Sequence, residues 1–186
     1  MTTPRPMRAD ARRNYERIVA TARTAFLEQG PEAPLDDIAR RAGVGAGTLY
    51  RHFPCREALM EAVYSDDIQR VSDLAHQLLE DHPPGEAIRL WMREQVGFAI
   101  QKRGLTATLK AAMDRDTTIF TLCKQILLEA AATILKAAQE SGDVREELQP
   151  RDLLLLGQGV AVAAESNPEA AERLITVMID GLKPQS

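Results

Sequence analysis

Leu35-Asp-Asp-Ile-Ala-Arg-Arg-Ala-Gly-Val-Gly-Ala-Gly-Thr-Leu-Tyr-Arg-His-Phe53 is the stretch on which the fold turns. It reads as two short helices separated by a glycine. The first starts near Leu35, with Ile38, Ala39 and Ala42 facing inward and Asp36 and Asp37 in its first turn, where carboxylates suit the positive end of the helix dipole. Gly43 stops it, since glycine enters a left-handed turn without steric cost. The second helix runs from about Ala46 to His52 with Leu49 inward, and Pro54 prevents its continuation. A steep crossing through a tight turn needs small residues, and Ala39 and Gly43 supply them. Val44 and Leu49 close the joint against Ile38 and Ala42. Thr48, Tyr50, Arg51 and His52 are left on the outer edge, and their hydroxyls, guanidinium and imidazole suit phosphate oxygens and base edges in a major groove. The pattern is that of a helix-turn-helix.

Outward from this centre the chain reads as helix throughout. Residues 1–10 hold two prolines and two arginines without a periodic apolar pattern, and read as a mobile basic arm. From Ala11 the spacing becomes helical, with Tyr15, Ile18, Ala22, Ala25 and Phe26 on one face, and Gly30-Pro31 ends that helix. A long helix from about Arg56 to Leu79 buries Leu59, Val63, Ile68, Val71, Leu74 and Leu78 and halts at Asp81-His82-Pro83-Pro84-Gly85. Further helices are predicted over Glu86–Lys102, Leu105–Met113, Thr117–Ser141, Arg151–Glu165 and Glu169–Leu182. The fold class is therefore all-α, about nine helices in all. A three-helix DNA-binding domain with its arm occupies residues 1–55, and a larger helical domain occupies 56–186.

Composition agrees. Of 186 residues, 45% are hydrophobic, mainly Ala and Leu, and only 4% are aromatic, which favours helix over strand. The longest apolar stretch, near Leu153 to Ala164, is too short to span a bilayer and contains Gln158. The N-terminus has no apolar signal core, so a cytoplasmic protein without a membrane partner is expected. Cys55 and Cys123 lie far apart, and His52, His76 and His82 are scattered, so neither a metal nor another cofactor is expected. Asp66-Asp67 has no histidine partner, and no nucleophile with a base or phosphate loop is visible, so no catalytic residue is assigned and an enzyme is an alternative without a motif. The net charge of −4 is unevenly divided: residues 1–56 carry ten arginines against six acids, net +4, and the remainder is net −8. A polyanion can approach only the first third. A helical interaction or scaffold protein that does not bind DNA would account for the helices, but not for this division or for the Gly43 to Phe53 motif.

Residues 11–60 as a whole resemble the N-terminal domain of the TetR family of bacterial repressors. The shared features are Phe26-Leu-Glu-Gln-Gly30, Ile38-Ala39, Gly43-Val44, Gly47-Thr48-Leu49-Tyr50, His52-Phe53, and a basic residue at Arg56 followed by Leu59. The resemblance implies that Thr48 and Tyr50 touch the DNA backbone, and that His52 and Arg56 lie near phosphates at the start of the fourth helix. Arg56 stands where the family more usually has lysine and keeps the charge, and two further departures matter more. Ala33, Pro34 and Leu35 stand where Ser or Thr commonly opens the second helix. Gly45, Ala46 and Gly47 stand in the leading turn of the reading helix, where Ala46 offers at most a methyl contact to thymine and Gly47 only backbone. Sequence reading is thus expected from Thr48, Tyr50, Arg51, backbone amides and DNA shape. Arg8, with Arg5, is a candidate for a neighbouring minor groove; a solvated terminus is the alternative.

The resemblance also implies a small-molecule pocket in the second domain and a dimer formed by the last two helices. Trp91, Met92, Gln95 and Phe98 share one face of the fifth helix, and with Met113 and Phe120 they are the candidate lining for an apolar or aromatic ligand; ordinary core packing is the alternative. Leu153, Leu156, Gly157 and Val160, facing Leu174, Val177 and Met178, are the candidate dimer surface, because that helix is too apolar for one buried side; a buried core helix is the alternative. The partners implied are double-stranded operator DNA with palindromic half-sites, a second copy of the chain, and an unidentified small-molecule effector that releases the repressor.

Overall fold

The computed structural model describes residues 5–112 and 118–184. Among the described residues there are eight α-helices, one 3-10 turn and no strand. The helices are α1 (Arg5–Gln29), α2 (Leu35–Arg41), α3 (Ala46–His52), α4 (Arg56–Asp81), α5 (Pro84–Ala112), α6 (Thr118–Glu140), α7 (Pro150–Ser166) and α8 (Ala171–Asp180), with the 3-10 turn at Pro168–Ala170. No helix among them is long and apolar enough to cross a membrane. The chain divides into two compact units, Met1–Asp66 with Gly104–Arg115, and Asp67–Arg103 with Asp116–Ser186.

In the first unit α1 buries Ile18, Val19, Ala22, Ala25 and Phe26. The helix begins at Arg5, earlier than the sequence pattern indicates. Pro6 is harmless in a first turn, where its missing N–H would be unpaired anyway, and Met7, Arg8 and Ala9 are good helix formers. Gly30, with φ 79°, ends the helix, its amide donating to the Phe26 carbonyl at 3.0 Å. α2 and α3 pack beneath it through Ile38 and Leu49, both fully buried, and Ala39, which is 2% exposed.

The second unit has one apolar core, in which Trp91, Met92, Val96, Ile134, Leu135, Leu153, Ile175, Met178 and Leu182 meet. The Trp91 indole N–H donates to the Val71 carbonyl at 2.8 Å, so the polar atom of the largest core side chain is satisfied. Gly142, with φ 75°, closes α6, and the Gln139 amide holds the next loop by donating to the carbonyls of Arg145, Glu146 and Leu148, each at 3.1 Å. At the start of α7 the Gln149 amide donates to the Asp152 carboxylate at 2.9 Å.

Two helix boundaries differ from the periodicity. The expected break between Lys102 and Leu105 is absent, and α5 runs unbroken through Gly104. One glycine costs a helix only about 1 kcal/mol relative to alanine, and with no proline nearby the flanking helix formers carry it. The final helix instead splits after Asn167 into the 3-10 turn and α8.

Gly157 has a definite packing role inside the protomer. The Gln95 Oε1 atom lies 1.9 Å from where a Cβ at position 157 would sit, so α5 and α7 approach there only because the glycine has no side chain. That oxygen is buried and has no hydrogen-bond partner. Gly157→Ala is therefore expected to lower stability by about 1–3 kcal/mol through overpacking, while Gln95→Met leaves stability unchanged or raises it by removing an unpaired buried acceptor. Urea melts of the two single variants and the double variant would test this; independent, additive effects would contradict it.

Candidate nucleic-acid interface

The turn between α2 and α3 is built from backbone. Ala42 donates to the Ile38 carbonyl at 2.9 Å, Val44 donates to the Ala39 carbonyl at 3.0 Å, and Gly43 lies between them at φ 65°. Gly45 is the N-cap of α3 in extended conformation, and its carbonyl accepts from the amides of Thr48 and Leu49. At the far end Phe53 donates to the Leu49 carbonyl at 2.8 Å. With Leu49 and Phe53 directed inward, the opposite face of α3 carries Ala46, Gly47, Tyr50 and Arg51 exposed and Thr48 and His52 half-buried. Of the predicted edge, Tyr50 and Arg51 are on the exposed surface and Thr48 and His52 lie at its flanks. Tyr50 is 46% exposed, with its phenol available to a partner.

Tyr15 joins this surface, although the sequence pattern assigns it to the buried face. It is 41% exposed. Its ring lies 5.1 Å from that of Phe53 and meets the His52 ring edge-on at 6.0 Å and 71°. Partial burial, then the charges of Asp66 and Glu61, push the Tyr15 phenol above its ordinary value, keeping it a neutral donor. Ion pairs tie the neighbouring helices, Arg23 to Asp66 and Arg41 to Glu28 at 2.9 Å, and Arg40 pairs with Asp37 within α2. Cys55 is exposed, and the Glu57 carboxyl at the start of α4 is held below its usual range by a backbone hydrogen bond and then by the Cys55 thiol.

Arg56 is placed differently from the position near phosphates that the resemblance implies. Its Nη1 atom is part-buried and donates to the carbonyls of Pro31 and Ala33 at 2.8 and 2.6 Å. Pro34 is the N-cap of α2 rather than its first helical residue, and no side chain caps that end. Sequence reasoning missed Arg17 altogether. Its Nε and Nη2 donate to the Ala42 carbonyl at 3.1 and 2.6 Å, and Nη2 also reaches the Gly43 carbonyl at 2.9 Å. Arg8 belongs to α1 rather than to a loose arm; its side chain lies outside the described residues.

The other candidate sites lie in the second unit. Trp91 and Met92 are fully buried among core side chains, Gln95 is 5% exposed, and Phe98 packs partly buried against the same core. Phe120 is half-buried, and Met113 lies outside the described residues. An open groove of about 430 Å³ is lined by Pro83, Gly85, Arg89, Asp143, Val144, Ile179, Leu182 and Lys183 among others, and none of the predicted lining residues borders it. On α7 and α8 the register is corrected. Leu153 is fully buried, Gly157 receives Gln95, and Met178 is 8% exposed, so these three face the protomer's own core. Leu156 and Val177 are exposed, Val160 and Leu174 are intermediate, and Leu155 and Val162, absent from the prediction, are 53% and 48% exposed. Among the described residues, no group of three or more His, Cys, Asp or Glu side chains is gathered to hold a metal ion.

Comparison with known proteins agrees with this geometry. Residues 18–63 match the model of bacterial regulatory proteins of the tetR family, and residues 83–184 match that of the SbtR-like transcriptional regulator C-terminal domain. The fold resembles that of the TetR transcriptional regulator SCO0520 from Streptomyces coelicolor, with TM-score 0.81 and 36% identity over 92% of this chain and 99% of that one. A TetR transcription regulatory protein from Mycobacterium vanbaalenii is similar at TM-score 0.77 and 36% identity, over 96% and 100% of the two chains. An HTH-type transcriptional regulator of Staphylococcus aureus is 31% identical over 111 residues, 59% of this chain, and the chain spans 60% of that relative's length. The chain belongs to the TetR family of bacterial transcription regulators.

Two glycines of the interface should respond oppositely to alanine. At Gly43 the left-handed backbone makes a Cβ cost about 1–2 kcal/mol. At Gly47, helical and with open space where a Cβ would stand, alanine should add about 0.5–1 kcal/mol. Thermal melts of both variants read the sign; equal shifts would contradict the assigned turn.

Proposed function

We propose that the chain is a cytoplasmic, DNA-binding repressor, without catalytic activity, that leaves a palindromic operator when a small apolar or aromatic ligand binds its C-terminal part. In this reading residues 1–55 dock on the duplex, and residues 56–186 bind the effector and pair two protomers. The observation that carries it is the solvent side of α3, where Tyr50 and Arg51 are exposed and Thr48 and His52 are half-buried at its flanks, while Leu49 anchors the helix from beneath. Hydroxyls and a guanidinium along one exposed edge match phosphate oxygens and base edges, and Ala46 and Gly47 let the backbone come close. Arg8 adds positive charge on α1. Gln95, with its buried and unpaired oxygen, is the polar contact proposed for an effector in the second unit, and Phe98 and Phe120 are the apolar candidates.

Affinity for a selected duplex should fall steeply with rising salt. Tyr50→Ala and Arg51→Ala should each cost about 1–3 kcal/mol of specific binding. A gel-shift titration with a duplex enriched from a randomised pool measures both, and wild-type binding by the two variants would refute the role of α3.

For pairing, the exposed stripe of Leu155, Leu156, Gly159 and Val162 on α7, with Val177 on α8, offers an apolar surface of the kind that closes against a second copy. Val177 is 69% exposed, so a charge there should leave the fold intact. Val177→Asp is expected to convert a dimer to a monomer in sedimentation and to reduce operator affinity; an unchanged sedimentation coefficient would argue against this surface.

A further inference from the structure

We propose that Arg17 and Arg56 are positioning residues for operator recognition, two guanidinium clamps that hold the ends of α2 and so fix how α3 is presented to DNA. The proposal rests on the reading of α3 as the duplex-facing helix. α2 has only seven residues, and its N-cap side chain makes no hydrogen bond. So short a helix does not sustain itself; the turn's own amides take the carbonyls of Ile38, Ala39 and Arg40, and those of Ala42 and Gly43 lie just beyond its last turn. At its exit, Arg17 of α1 supplies charged donors to the carbonyls of Ala42 and Gly43, at the negative end of the dipole. At its approach, Arg56 of α4 grips the carbonyls of Pro31 and Ala33 with one nitrogen. Each clamp joins α2 to a different long helix, and the two together fix both position and tilt.

The turn is fitted to its clamp. A Cβ at Gly43 would come within 3.3 Å of the Arg17 Nη2 atom, so the glycine admits both the left-handed backbone and the guanidinium. At Arg17 a planar fork of two nitrogens meets two carbonyls at fixed angles, which a lysine ammonium on its flexible stem cannot reproduce. The donors committed to these carbonyls orient α2, and a direct phosphate contact by the remaining N–H groups is separated from action through α3 by the salt slope.

The test uses the full chain, a duplex enriched by the wild-type protein from a randomised pool, a scrambled duplex, and a salt series. Arg17→Gln and Arg56→Gln are expected to weaken binding to the enriched duplex by roughly tenfold, to leave the scrambled duplex unaffected, and to leave the salt slope unchanged. Lysine at position 17 should not restore affinity. Wild-type affinity in both glutamine variants would overturn the proposal. So would an equal loss on both duplexes with the slope shallower by about one and rescue by lysine, the signature of a phosphate contact. Should a glutamine variant melt below the assay temperature, Arg17→Lys carries the same comparison, and wild-type affinity in it overturns the proposal. Tyr50→Ala and Arg51→Ala, run alongside, separate the two failures. If they bind as wild type, the reading of α3 falls and the clamps with it; if they weaken binding and the clamp variants do not, only the clamps fall.

Discussion

Ala42 and Gly43 present their carbonyl oxygens where α2 has run out of amide donors, and the Arg17 guanidinium meets both. The arrangement of the first unit follows from that contact. A helix of seven residues brings little stability of its own, so its direction is set by what holds its ends and by the apolar side chains beneath it. Ile38 and Leu49 supply the contact from beneath, fully buried, while the left-handed backbone at Gly43 turns the chain so that α3 leaves at a steep angle. The outer side of α3 is polar because its inner side is already occupied.

The two units use apolar surface differently. The first closes a small core and leaves a polar, arginine-rich exterior. The second closes a larger core around Trp91 and Met92 and still leaves Leu155, Leu156, Val162 and Val177 outside. Charge is divided in the same sense, net +4 over residues 1–56 and net −8 over the rest of the chain. Like charge on the second unit keeps nucleic acid at a distance, so only one surface of the molecule is compatible with a polyanion.

The helix-turn-helix was legible in the sequence because its determinants are local: a glycine where the backbone must turn left, a proline where a helix must stop, and leucine and isoleucine at helical spacing. Arg56 was not, because its acceptors are backbone carbonyls 25 and 23 residues away, and carbonyls leave no mark in a sequence. Arg17 was invisible for the same reason. The register of α7 was half legible. Its apolar excess called for two buried sides, but which residues face inward is decided by the neighbours: Gln95 against Gly157, and the core around Leu153. Gly104 misled because a single glycine suggests a break, whereas its cost is small beside that of interrupting a long helix. Tyr15 fell on the correct side of α1 but at the rim, where one edge packs on Phe53 and the rest stays wet.

Gly45, Ala46 and Gly47 give the leading turn of α3 almost no side chains. On the proposed docking of α3, such a surface would lie close to a groove without interrogating it letter by letter, since a hydrogen atom or a methyl neither bonds most base edges nor clashes with them. Base pairs under that turn are then sorted by how readily the double helix narrows or bends to meet the backbone. A regulator of this kind tolerates spelling changes at those positions and is sensitive to local stiffness. Conversely, one larger polar residue at position 46 would be enough to impose a preferred letter, so new target sites lie a single substitution away.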